Sequence, residues 1–122
     1  MASNRPRVYW EASPFVAHIN NETGRAHMCH AILQMARQGD LDLYTSALTL
    51  IEVFKVPMTP SEEAAEREIT RYFSNRWIRK QNLDWYVAVE VRNVERRFPH
   101  LDGRDAIHLG TAMYLGVEYL HT

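Results

Sequence analysis

Cysteine is almost missing from this chain of 122 residues, where Cys29 stands alone. An internal disulfide is therefore excluded, and a reducing compartment is the natural setting. A surplus of charge of one sign is missing too, since 14 Lys and Arg face 15 Asp and Glu. That balance removes the simplest argument for a duplex partner, which nucleic-acid-binding domains make with a basic excess. Long apolar runs are absent: none approaches the roughly 18 residues that a bilayer-spanning helix needs. The opening MASNRPRVYW has bases but no apolar core of a secretion signal, and no repeat or low-complexity tract follows. The expectation is a cytoplasmic protein without a membrane partner, built as one domain over residues 1–122.

With 46% hydrophobic and 24% charged residues, the chain can bury one real core. RVYWEA (7–12) is β-prone and ends at an acid. SPFVAHIN (13–20) follows as a helix, with Ser13 placed to cap and Pro14 suited to the first turn. RAHMCHAILQMARQGD, opened by Thr23 or Gly24, puts Met28, Ile32, Met35 and Ala36 at helical spacing before Gly39. LDLYTSA (41–47) alternates as a strand, and the apolar LTLIEVFKV (48–56) runs on to Pro57. TPSEEAAEREITRYFSNRW has Ser61 as N-cap and a stripe of Ala65, Ile69, Tyr72 and Phe73. IRKQNLD (78–84) is a weak strand. WYVAVEVRNVERRF is too long for a strand, and its stripe of Ala88, Val91, Val94 and Phe98 makes it a helix with Asp84 as N-cap. A last amphipathic helix inside DGRDAIHLGTAMYLG leads into the strand VEYLHT.

Strands alternating with helices predict an α/β fold, a three-layer α/β/α sandwich around a central parallel sheet. Sites in such sheets form beyond the carboxyl ends of the strands. Glu11 lies at the exit of the first strand, Glu52 just after the second, and Asp105 at the head of the last helix. Asp40 and Asp42 fall at the opposite edge. Glu52 is flanked by apolar residues on every side, and a buried carboxylate must be paired, neutralised or metal-bound. Three acids meeting in one cleft suit a hard divalent cation such as Mg²⁺ or Mn²⁺. No histidine spacing of a zinc site accompanies them. Such a centre can activate water and stabilise charge on a phosphate oxygen. On the residues alone a second account stands beside it, in which Glu52 pairs with Lys55 and Asp105 only caps its helix.

VYWEASPFVAHIN, YTSALTLIEVFKV and DGRDAIHLGTAMYLGVEYLHT together resemble a PIN domain, most of all the ribonuclease toxins of VapBC-type toxin–antitoxin pairs. The resemblance covers nearly the whole chain. It implies an Mg²⁺- or Mn²⁺-dependent endoribonuclease, a homodimer and a small antitoxin that blocks the cleft. Glu52 and Asp105 match the second and third acids of the family, and Glu11 occupies the place of the first. On this footing Asp105 is expected to be both metal ligand and helix cap. Two departures stand out. The family usually has Asp where Glu11 stands, and the extra methylene displaces the carboxylate by about 1.5 Å, a large change for metal-assisted catalysis. The sequence also stops at Thr122, which matches a Ser/Thr position, where the family continues to a fourth acid. The expectation is therefore a fold whose last part is truncated and an activity slower than that of a Glu11→Asp variant. The alternative is a catalytically inactive PIN-like module that binds an antitoxin or other protein; a nuclease acting on DNA would carry the same acids.

Ser13, Thr49 and Thr122 are secondary candidates for orienting the carboxylates or a metal-linked water. Twelve of the 14 bases are Arg, and those between Arg71 and Arg104 read first as solvated helix faces, with a basic rim for a phosphate backbone as the sharper alternative. His108 is expected to pack in its helix with a ring N–H bonded to backbone. His27, Cys29 and His30 make an incomplete metal site and are expected on a partly exposed helix. Trp10, Trp77 and Trp85 belong to core or interface, and Tyr72, Phe73 and Trp77 among bases could face a dimer mate or the antitoxin.

Overall fold

The structure is a computed structural model that describes residues 4–53 and 62–122. Chain order is β1 (Arg7–Trp10), α1 (Ala12–Ile19), α2 (Ala26–Gln38), β2 (Asp42–Ser46), α3 (Ala47–Glu52), α4 (Glu62–Phe73), β3 (Ile78–Gln81), α5 (Trp85–Arg97), α6 (Gly103–Leu115) and β4 (Tyr119–His121). The four strands pair in parallel in the order β3-β2-β1-β4. The predicted Ser61 cap lies outside the described residues, as does Lys55.

Strand alternation sorts the two faces of the sheet. Val8 and Trp10 pack on one face with Leu43 and Ile78, against Phe15 and Ala17 of α1, Cys29, Leu33 and Ala36 of α2, and Ile69 and Phe73 of α4. Tyr9 points to the other face, where α5 and α6 form a second apolar cluster from Val87, Val91, Val94 and Ala106. Each large side chain buried this way contributes about 1.5–3 kcal/mol. The α/β/α sandwich expected from the sequence is thus the observed architecture. Gly110 lets α6 lie directly on α5: a Cβ there would sit 2.7 Å from the Cα of Val91. That contact gives the functional end of α6 a rigid support.

Several local expectations need correction. The buried stripe of α2 is Ala26, Cys29, Leu33 and Ala36, while Met28 and Met35 are exposed. α1 begins at Ala12, so Ser13 lies inside the first turn and does not cap. Asp102, not Asp105, caps α6 by accepting from the Arg104 amide at 2.9 Å. Tyr72 and Phe73 pack on Phe15 in the core instead of facing a partner. Asp84 does cap α5, accepting from the Val87 amide at 3.0 Å, and Gly39 closes α2 in the left-handed conformation.

Candidate active site

The direction of α6 decides where its acid lies. Arg7, at the start of β1, donates from Nη1 to the Leu115 carbonyl at 2.9 Å. The carboxyl end of α6 therefore sits at the amino edge of the sheet, and its amino end at the carboxyl edge. Asp105, in the first turn of α6, is on the same side as Glu11, which follows the last residue of β1. Glu52 is the final residue of α3, the short helix that leaves the carboxyl end of β2.

Three acids from three separate elements share this rim, at different depths. Asp105 is exposed, whereas Glu11 and Glu52 are half-buried. Burial pushes the Glu11 carboxyl above its ordinary value; His108 opposes that rise, while the charges of Asp105 and Glu52 add to it. Glu11 therefore lies within the field of the other two carboxylates. Among the described residues no Lys or Arg forms an ion pair with any of the three. Their donors are all hard oxygens, the chemistry of Mg²⁺ and Mn²⁺. Among those residues no group of three His, Cys, Asp and Glu side chains is placed to hold an ion unaided.

His108 occupies a different place from the one expected. It is 2% exposed, and its ring bonds side chains instead of backbone. Nε2 lies 2.5 Å from Oε1 of Glu52, and Nδ1 lies 2.7 Å from the Tyr9 hydroxyl. An ionised carboxylate can only accept, so in the neutral ring Nε2 carries the proton and donates. Nδ1 then accepts from Tyr9. Burial drives the Tyr9 phenol well above its ordinary value, while Ser46 hydrogen-bonds it and Glu11 and Glu52 add to the rise, so the hydroxyl keeps its proton. The sequence carried one hint of this role: His108 follows Asp105 by three residues, one turn along the same helix.

The secondary candidates separate. Thr49 is fully buried, with its hydroxyl 2.7 Å from that of Thr45, which donates to the Trp10 carbonyl. It braces α3 on the sheet and does not reach the rim. Ser13 accepts from Nη1 of Arg25 at 3.0 Å, and the carbonyl of Thr122 accepts from Nη2 at 3.0 Å. Arg25, unremarked in the sequence, thus ties α1 to the residue that follows β4.

The expected basic rim is only partly available. Arg79 pairs with Asp42 at 3.2 Å, on the amino edge. The ammonium of Lys80 donates to the carbonyls of Phe73 and Asn75. Arg71 pairs with Glu68, and Arg104 lies beside Asp102. Arg92, Arg96 and Arg97 are exposed on α5, and Arg104 is exposed next to Asp105. His27 and His30 are exposed as expected, and His30 stacks on His18 with centroids 5.7 Å apart. Trp10 is core, and Trp85 is 78% exposed. Among the described residues no helix is long and apolar enough to cross a membrane.

Comparison with known proteins bears on the fold and the family. The sequence profile of the PIN domain matches residues 8–122. No curated protein sequence gives a significant match. Among solved structures, the chain is similar to VapBC2 from Rickettsia felis bound to a DNA fragment from the promoter. That match has a TM-score of 0.72 at 10% identity, covering 94% of this chain and 86% of the other. It is also similar to VapC20 of Mycobacterium tuberculosis, a sarcin-ricin loop cleaving toxin, with TM-score 0.69, 12% identity, and 93% and 86% of the two chains covered. A toxin–antitoxin complex from Klebsiella pneumoniae gives TM-score 0.64 at 16% identity, over 93% and 84%.

Proposed function

This chain belongs to the PIN domain family, and we propose that it is a metal-dependent endoribonuclease, the toxin of a toxin–antitoxin pair. The observation that carries the reading is the acid rim. Glu11, Glu52 and Asp105 come from three segments, the charges of Glu52 and Asp105 raise the cost of ionising Glu11, and none of the three meets a Lys or Arg partner among the described residues. Three like charges left without a base are costly unless a cation offsets them. Glu52 and Asp105 would hold an Mg²⁺ or Mn²⁺ ion together with Glu11, and the ion would supply water activation and charge neutralisation at a phosphate. The chain's own residues do the remaining work. Glu52 is oriented by His108, Asp105 offers an exposed carboxylate in the first turn of α6, and Arg104 beside it can meet an RNA phosphate. A cognate antitoxin is the partner that the likeness to toxin–antitoxin complexes supports, and a second copy of the chain completes the reading as an expectation of the family.

A second reading, an inactive PIN module that binds an antitoxin, is favoured by Glu11 in place of Asp. It is favoured also by the lack, among the described residues, of three ligands poised on one point. Cleavage of RNA in Mn²⁺ separates the two. The nuclease reading expects cleavage that falls at least about 100-fold in Glu52→Gln and in Asp105→Asn, and rises in Glu11→Asp. Cleavage unaffected by these changes, or absent from both the chain and Glu11→Asp, favours the binding module.

A further inference from the structure

A glutamate that binds a cation has two oxygens and three side-chain torsions to restrain. In this chain one oxygen is already engaged. Oε1 of Glu52 accepts from Nε2 of His108 at 2.5 Å, and the ring is held at its far side by the Tyr9 hydroxyl at 2.7 Å. The ring itself is 2% exposed, and Tyr9 is 0% exposed in the middle of β1, so neither can swing away without breaking the core. The Tyr9 ring also meets the imidazole edge-on, with centroids 5.8 Å apart. Donors therefore run one way, from Tyr9 to His108 to Glu52. Among the described residues, nothing bonds Oε2 of Glu52.

We infer that His108 is a positioning residue for a divalent cation: it occupies one oxygen of Glu52, fixes the rotamer, and leaves Oε2 as the single oxygen offered to the ion. The inference rests on the cation reading above and deepens it. A carboxylate fixed before the ion arrives binds without a further loss of side-chain freedom. Outer partners of metal ligands act in this manner, and losing one typically weakens metal affinity by about 10–100-fold. A purely structural histidine would serve the core equally well whichever end of its replacement carried the donor.

That difference gives the test. Binding of Mn²⁺ alone is measured by isothermal titration on the full chain and on His108→Gln, His108→Asn and Tyr9→Phe, with thermal unfolding as the check on folding. The Gln amide nitrogen reaches the level of Nε2, while the Asn amide reaches only that of Nδ1. Gln should stay within about threefold of the parent, and Asn should weaken binding by about 10–100-fold, although the two are alike in polarity. Tyr9→Phe keeps the ring but frees the imidazole, and should weaken binding by about three- to tenfold. Equal binding by parent, Gln, Asn and Phe variants overturns the inference and leaves the cation reading standing. A parent chain that binds no Mn²⁺ overturns both.

Discussion

At the amino edge of the sheet Asp42 is 5% exposed and lies 3.0 Å from Arg5 and 3.2 Å from Arg79. At the carboxyl edge Glu11, Glu52 and Asp105 share a rim with no Lys or Arg in ion-pair contact among the described residues, and Glu52 has only His108. The same residue chemistry is thus handled in opposite ways at the two edges of one sheet. Where an acid serves the fold, arginines brought from two other segments neutralise it. Where acids are gathered and left without such partners, the fold bears a cost that a bound cation can offset. The contrast also answers the simplest objection to the site, that every acid here is an ordinary partner in a salt bridge. Asp42 is one, and among the described residues the other three have no Lys or Arg in ion-pair contact.

The contrast can be broken most strongly at the amino edge. Asp42→Asn leaves Arg5 and Arg79 facing a neutral amide in a buried position. Urea unfolding should show a loss of about 2–3 kcal/mol, toward the low end for a broken buried pair because both arginines are half exposed. A loss below about 0.5 kcal/mol, typical of a plain surface change, would remove the distinction between the edges. Next in size is the effect of the cation. At Mn²⁺ concentrations about 100 times its dissociation constant, the folded chain should gain roughly 2.7 kcal/mol in urea unfolding. Glu52→Gln and Asp105→Asn should lose most of that increment, whereas Asp42→Asn should keep it on a lower baseline. Equal increments in all the variants would show that the ion binds elsewhere.

The sequence made the sheet legible because strand and helix patterns alternate clearly. The hardest segment, residues 85–98, was settled by its length, and Val91 and Val94 are buried as its stripe requires. The edge occupied by each acid was legible too, since a parallel sheet has only two ends. What escaped depends on contacts between distant segments. Tyr9, Glu52 and His108 belong to three elements, and beyond the one-turn spacing of Asp105 and His108 nothing in DAIHLG announces that the imidazole reaches across to a carboxylate of another helix. The clamp on Asp42 draws on Arg5 and Arg79 from either side of it in the chain, so its wrong-edge position was visible and its partners were not. The stripe of α2 was misread because Met28 and Met35 are as apolar as the residues actually buried. Only the packing of α2 against α1 and the sheet selects the face of Cys29 and Leu33. The cap of α6 was assigned to Asp105 because Asp102 and Asp105 are both acids near the start of one helix.

The smallest effect sharpens the comparison furthest, because it concerns a charge whose cost should be visible without any ion. The folded-state pKa of Glu11 is raised above its ordinary 4.5, first by burial and then by Asp105 and Glu52, with His108 opposing. A raised carboxyl contributes stability that is fully present below the unfolded-state value and is lost as pH rises through the folded-state value. At neutral pH the ionised Glu11 therefore weighs against the metal-free fold, and Glu11→Gln should unfold at higher temperature than the parent. The gain should be under about 1 kcal/mol, since the side chain is only half-buried and partly screened by solvent. It should shrink as pH falls and vanish below 4.5, where the acid is protonated in both states. With saturating Mn²⁺ at neutral pH the order should reverse, because the glutamine cannot supply an ionised oxygen. Thermal unfolding of the two chains between pH 4 and 8, with and without Mn²⁺, reads all of this. A glutamine variant that is less stable than the parent without metal at neutral pH would mean that Glu11 is held by a favourable partner, and that the two edges of the sheet are alike after all.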